Sequence, residues 1–309
     1  MTMKTLISAT LAGAAALASA SPAWAQPASI ASRADCALRI ESSSSNWIIQ
    51  GYDPFATNVP IATYDVVFNN EGAAACAFAP VFVVDQEPFG LALGGRTGRV
   101  TYTLLDEFSN SNATPLSGRT IARVTQRPVV VQPRSQQLVR FQFAVNEDGL
   151  VADGLYSQRV TLVAEQQGRG DMLASRSLVL GVNVLPSAVL GLSGQYRRNG
   201  GQALVDLGEL AEGIAQVPLQ MTVASTRAYR LEFASKNNGL LKMANADWSV
   251  PYQLMIGEST LSLASTANYN SSGTDPTRDA LPMRFVIGSV AGKRAGLYSD
   301  LITVSIAPR

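Results

Sequence analysis

The sequence predicts an all-β protein made of two tandem β-sandwich domains, and three observations carry that prediction. The first is an internal repeat. GLYSQRVTLVA at 154–164 returns as GLYSDLITVSI at 296–306, with an offset of 142 residues from Tyr156 to Tyr298 and from Thr161 to Thr303. FQFAV at 141–145 lines up with MRFVI at 283–287 at the same offset. The second observation is the alternation of apolar and polar residues in these runs, the period of a strand with one buried face. The third is punctuation. Short β-rich runs follow one another at roughly 8–12-residue spacing with Gly, Asn and Ser between them, as in a sandwich.

The elements follow in order. The leader comes first: Lys4 precedes an apolar stretch at 6–18, and Ala23-Trp24-Ala25 supplies the small residues of a signal-peptidase site. The stretch is too short and too rich in alanine for a membrane span, so residues 1–25 are expected to be removed and the rest exported. After a short tail, CALRI begins the first domain, assigned to 26–185. TYDVVFNN at 63–70, PVFVVD, RVTYTLLD at 99–106, RPVVVQ, LVRFQFAV at 138–145 and SLVLGVNVL at 177–185 are its further strands, rich in Val, Phe, Tyr and Thr. Pro186 is the expected seam, and 186–309 the second domain, restarting with AVLGLSG and continuing through VPLQMTVAS, YRLEFAS, VPYQLMIG, MRFVIGS and DLITVSI. No stretch holds a helical apolar period for three turns; 207–215 comes nearest, and its two glycines argue against a helix.

One asymmetry bears on function. After its copy of the repeated strand the first half still has 177–185 available to pair, whereas the second copy is followed by Ala307, Pro308 and Arg309. The second sandwich is therefore expected to be one strand short, with an open groove of unpaired backbone and apolar side chains that another chain must fill. Alternation puts Ile302, Val304 and Ile306 on the inner face of that groove and Leu301, Thr303 and Ser305 on the outer one.

Composition narrows the chemistry. Without Lys4 the basic and acidic residues balance, so nothing favours a nucleic acid or an anionic membrane. The chain has no histidine, which removes Ser-His-Asp and Cys-His catalysis and every imidazole ligand. Cys36 and Cys76 are its two cysteines, and in an oxidising compartment they read as a disulfide. Closing a loop of that length would stabilise by roughly 4 kcal/mol on the chain-entropy model. Asp106 and Glu107 read as solvated turn charges, the Asn/Asp-rich stretch 268–275 lacks calcium-loop spacing, and Arg169-Gly170-Asp171 reads as a tight turn. The expectation is a protein without enzymatic activity and without cofactor or metal. Two apolar stretches, Trp47-Ile48-Ile49 after a run of serines and Phe89 with Leu91 around Gly90, are either core strand or exposed adhesive loops.

In the second half, VDLGELAEGIAQVPLQMTVAST, AYRLEFASKNNGLLKM, SVPYQLMIG and AGLYSDLITVSI resemble in this order the spore coat protein U-like domain, also the subunit module of archaic-type chaperone–usher pili. The first half resembles it more loosely through Cys36, GYDPF at 51–55, Cys76, RVTYTLLDE and GLYSQRVTL, and the match fades at 89–99 and 109–127. The second half departs from the family in lacking a cysteine pair, with Ala188 about where the first cysteine would fall. The resemblance implies immunoglobulin-like sandwiches, the second lacking its last strand. It implies a periplasmic chaperone that fills the gap, an outer-membrane usher, and an adjacent pilin subunit whose N-terminal extension replaces the chaperone strand. The tail at 26–35 carries one large apolar residue, Ile30, and looks like a poor donor. An acceptor that does not donate fits the tip adhesin of a cell-surface pilus, serving attachment and biofilm formation. The alternative is a secreted spore-coat or extracellular matrix protein with two such domains.

Overall fold

The computed structural model describes residues 36–84, 88–115, 127–166 and 169–309. The expected leader and the tail up to Asp35 lie outside the described residues. Regular structure among the described residues is β throughout, apart from one short 3-10 turn at Glu147–Gly149.

The first domain runs through β1 Leu38–Ser42, β2 Asn46–Tyr52, β3 Ile61–Asn70, β4 Cys76–Val84, β5 Leu91–Leu93, β6 Arg99–Val100, β7 Tyr102–Asp106, β8 Ser111–Asn112, β9 Val129–Val131, β10 Ser135–Val145, β11 Gly154–Gln166 and β12 Met172–Val184. Two sheets form. One has the order β1-β3-β10-β7-β8, and the other the order β2-β12-β11-β4-β9, with β5 and β6 attached beside β11. The alternation seen in the sequence is what buries them. Val139, Phe141, Phe143 and Val145 of β10 face Tyr156, Val160, Leu162 and Ala164 of β11 across one core. Trp47 sits fully buried at its centre, stacked on Tyr64 at 4.9 Å and close to Phe82 and Phe141 at 6.0 Å. The chain crosses between sheets after β1, so β1 pairs antiparallel with β3 while β2 pairs parallel with β12. Cys36 and Cys76 form a disulfide, with their Cα atoms 5.4 Å apart, tying the start of β1 to the start of β4.

The second domain runs through β13 Ala188–Gly194, β14 Arg197–Asn199, β15 Gln202–Leu204, β16 Gly213–Ile214, β17 Leu219–Ser225, β18 Tyr229–Ser235, β19 Leu240–Met243, β20 Ser249–Ile256, β21 Ser259–Leu261, β22 Ala267–Asn270, β23 Thr277–Ile287, β24 Tyr298–Ser299 and β25 Ile302–Pro308. Its larger sheet has the order β13-β17-β23-β20-β19-β24, and the facing one the order β22-β18-β25. A separate core of Met221, Val223, Tyr229, Leu231, Phe233, Leu254, Ile256 and Phe285 lies between them. Where the first domain has its disulfide, the start of β13 is tied to the end of β17 by hydroxyls. Ser187 N donates to Thr226 Oγ1 at 3.0 Å, and Thr226 N to Ser187 O at 3.0 Å.

The repeated tyrosines explain why GLYS recurs. Tyr156 donates its hydroxyl to Ala152 O at 3.1 Å and Tyr298 to Arg294 O at 2.7 Å, each bond reaching back four residues. This is the tyrosine corner of immunoglobulin-like sandwiches, which pins the loop entering the strand.

The domains meet through polar contacts around Pro186. Leu185 N donates to Tyr52 O at 2.8 Å, and Ser187 Oγ to Asp53 Oδ1 at 2.8 Å. Arg227 Nε donates to Asp153 Oδ1 at 2.8 Å, with a second bond to Oδ2, and Arg96 pairs with Asp275 at 2.7 Å.

Candidate functional site

The site is the outer edge of β25. On one side β25 pairs antiparallel with β18 over its whole length, from Ile302 opposite Ser235 to Pro308 opposite Tyr229. On the other side no strand among the described residues pairs with it. Its copy in the first domain, β11, is paired on both sides: with β4 through Val160 to Gln166, and with β12 from Gly154 opposite Val184 to Glu165 opposite Met172.

Side-chain exposure follows the missing pairing. Val160, Leu162 and Ala164 of β11 are each 0% exposed. The matching Ile302, Val304 and Ile306 pack against the second core but stay only half-buried, with Thr303, Ser305 and Ala307 exposed between them. In the first domain the difference is supplied by Leu178, Leu180, Val182 and Val184, alternate residues of β12 that are all buried. The facing wall of the groove is β13, where Leu190 and Leu192 are also half-buried, and the Cα atoms of β13 and β25 approach within 8 Å. The result is a slot with apolar walls and a row of backbone N–H and C=O groups that no described strand engages, which can hold an extended strand with apolar side chains at alternate positions.

A polar hub fixes the strand that forms this edge. Asp300 Oδ1 accepts from Asn237 N at 3.0 Å and Leu301 N at 2.8 Å, while its Oδ2 accepts from Tyr252 at 2.6 Å and from Ser235. The first domain has the same device with a neutral acceptor. Gln158, at the position matching Asp300, accepts from Tyr102 at 2.9 Å and Gly90 N at 3.1 Å, and donates to Pro88 O at 2.8 Å. Burial pushes both tyrosines well above their ordinary range, and Asp300 adds to this at Tyr252. The sequence reading missed both hubs, although the repeat offset already pairs Gln158 with Asp300.

The structure decides between the two readings left open for the apolar stretches and corrects the reading of Asp106. Trp47 and Leu91 are 0% exposed and lie within strands, so neither is an adhesive loop tip. Ile48 and Ile49 are half-buried in β2, held by its parallel pairing with β12. Phe89 lies 4.8 Å from the Tyr102 ring and packs on the core. In each case a buried neighbour offers more than water does. Asp106 is not a solvated turn charge. It is fully buried and caps the following turn, accepting from Phe108 N at 2.9 Å and Ser109 Oγ at 2.6 Å. Arg169 to Asp171 do form a turn, the exposed tip between β11 and β12. There Gln166 N donates to Asp171 O at 2.7 Å and Gly170 takes φ of 74°.

The sequence matches no protein-family model, that of the spore coat protein U-like domain included, and no curated protein. Among solved structures the chain is similar to a chain of the CsuC–CsuE chaperone–tip adhesion subunit pre-assembly complex from archaic chaperone–usher Csu pili of Acinetobacter baumannii. That match has 14% identity and a TM-score of 0.45, and covers 87% of this chain and 100% of that one. It is also similar to the CupB6 tip adhesin from Pseudomonas aeruginosa (11% identity, TM-score 0.39, 88% and 94% covered). A third is CfaE, the adhesive subunit of CFA/I fimbria of enterotoxigenic Escherichia coli (13% identity, TM-score 0.33, 85% and 92% covered). At these values the likeness concerns fold alone. No helix among the described residues is long and apolar enough to cross a membrane.

Proposed function

We propose that the chain is a non-enzymatic subunit of a chaperone–usher pilus, exported to the cell surface, and that it acts as the two-domain tip adhesin. The observation that carries this reading is the free edge of β25, lined by half-buried Ile302, Val304 and Ile306, in a domain whose sibling has the same edge filled. A long unpaired strand beside exposed apolar residues is an aggregation hazard, and a binding partner removes it. In this reading a periplasmic chaperone supplies the strand during export and an adjacent pilin supplies it in the fibre, after handover at the outer-membrane usher. Main-chain hydrogen bonds give affinity, and alternate apolar side chains give fit. The first domain, complete in itself, is left to attach to a surface through the turns at the end away from Pro186.

The test is co-expression with a periplasmic chaperone of the archaic chaperone–usher type, followed by co-purification. Val304→Asp places a carboxylate where the donor packs, at a cost of several kcal/mol because the charge would be buried without a partner. It is expected to lose the chaperone, while Thr303→Asp on the outer face keeps it. Equal recovery of chaperone by Val304→Asp and the unmodified chain would rule this groove out.

A further inference from the structure

Beyond residue 25 the sequence holds three lysines, Lys236, Lys242 and Lys293, against twenty arginines. All three gather at the pole of the second domain opposite the linker. Lys242 in β19 lies opposite Ser299 in β24, and Lys236 N donates to Leu301 O at 2.9 Å. Lys293 and its neighbour Arg294 sit in the turn held by Lys293 N to Val290 O at 3.1 Å and by the Tyr298 hydroxyl on Arg294 O. Between these cations the outer face of the strand leading into β25 exposes Leu297 at 83% and Leu301 at 44%. All four cations are exposed, and no ion pair among the described residues engages them. The matching pole of the first domain carries Arg96, which is paired with Asp275 across the joint. Val151 and Ala152 stand at the positions matching Lys293 and Arg294, and Ala92, opposite Ser157, at that matching Lys242.

The joint between the two domains is the comparison for such a pole. β12 fills the groove of the first sandwich, and three residues later the chain enters β13. The strand that completes one domain is thus the N-terminal extension of the next. Where that extension leaves the groove the two poles touch. The first domain presents Asp53 and Asp153 to Ser187 and Arg227 of the second, and Arg96 to its Asp275. At the free pole of the second domain the acidic position is lost and cations are added, since Ala295 replaces Asp153 and lies beside Lys293 and Arg294.

We propose that this free pole is a docking face for the leading pole of the next subunit, and that the latter is acidic immediately after its donor strand. The proposal rests on reading the β25 edge as a strand acceptor. Val184, the last residue of β12, lies opposite Gly154, which corresponds to Gly296 in the second copy. A donor running in the same sense therefore ends opposite Gly296, and the residues after it emerge beside Lys293 and Arg294.

The experiment refolds the full chain with fluorescent peptides carrying the sequence of residues 177–185, followed by either three glutamates or three glutamines. The glutamate peptide is expected to bind roughly tenfold more tightly at low salt, from a few exposed ion pairs each worth a fraction of a kcal/mol. The gap should close near 1 M salt, where screening acts within about 3 Å. In the double variant Lys293→Gln, Arg294→Gln the gap should vanish while the glutamine peptide still binds. Equal binding of the two peptides at low salt overturns the acidic-pole inference and leaves the strand acceptor standing. Binding of neither peptide overturns the acceptor reading itself, and this inference with it.

Discussion

β11 and β25 are two copies of one strand placed in different surroundings. Both enter through a tyrosine corner, both carry a polar hub at the same position, and both turn three alternate apolar side chains inward. They differ in one neighbour. With β12 beside it, β11 buries Val160, Leu162 and Ala164 completely; without a counterpart, β25 leaves Ile302, Val304 and Ile306 half-exposed. Burial here is therefore a property of the pairing, because the inward set is apolar in both copies. The first domain also carries the disulfide, which ties its strands independently of that pairing. The second has only the hydroxyl cluster of Ser187 and Thr226 at the matching place.

The largest expected effect separates the two halves outright. Residues 26–185 expressed alone should be monomeric and unfold cooperatively, because β12 is included. Residues 186–309 alone should aggregate or unfold until a strand peptide is added. Size-exclusion chromatography and urea unfolding of each fragment, with and without the peptide, read this directly. A monomeric, cooperatively folded second fragment without added strand would break the comparison.

A smaller effect tests whether the groove is truly unfilled. Leu162→Ala empties a closed core and should cost about 2–5 kcal/mol. Val304→Ala removes a side chain that is already half in water, so without a donor its cost should be less than half of that. With a donor peptide bound, the cost of Val304→Ala should rise, since the same side chain is then fully buried. Urea midpoints of the two variants, with and without peptide, make the measurement. Equal costs in the absence of peptide would mean that β25 is already covered.

The period of two was legible in the sequence, and with it the strands, the inward faces of both repeated strands and the tandem arrangement. The pairing of Cys36 with Cys76 was legible from their being the only two. What escaped were contacts that no local period encodes. Trp47 follows a run of serines and reads as either loop or core strand, because the chain switches sheets there and β2 runs parallel to β12, more than 130 residues away. Asp106 reads as an exposed charge because its partners are the backbone N–H and hydroxyl of the turn it caps. The lysines were visible in the composition, but the fold alone brings positions 236, 242 and 293 to one pole.

The smallest expected effect concerns the joint that holds the two poles together. Arg227, hydrogen-bonded to Asp153, holds that carboxyl below its ordinary range. A carboxyl whose value is lowered on docking contributes stability above the undocked value, about 3.9, and loses it as pH falls through the docked one. Nothing should change between pH 7 and 5, and the joint should loosen only below about pH 4. The Arg96–Asp275 pair adds little to the joint, since the Asp275 side chain is 78% exposed. Small-angle scattering at pH 7 and pH 3 should show the domains separating slightly in the unmodified chain. Arg227→Gln should loosen the joint already at pH 7 and flatten its dependence on pH. A pH response equal in the unmodified chain and in Arg227→Gln would mean that this pair does not hold the joint. The way one domain seats on the next would then have to come from Leu185, Ser187 and their contacts with Tyr52 and Asp53.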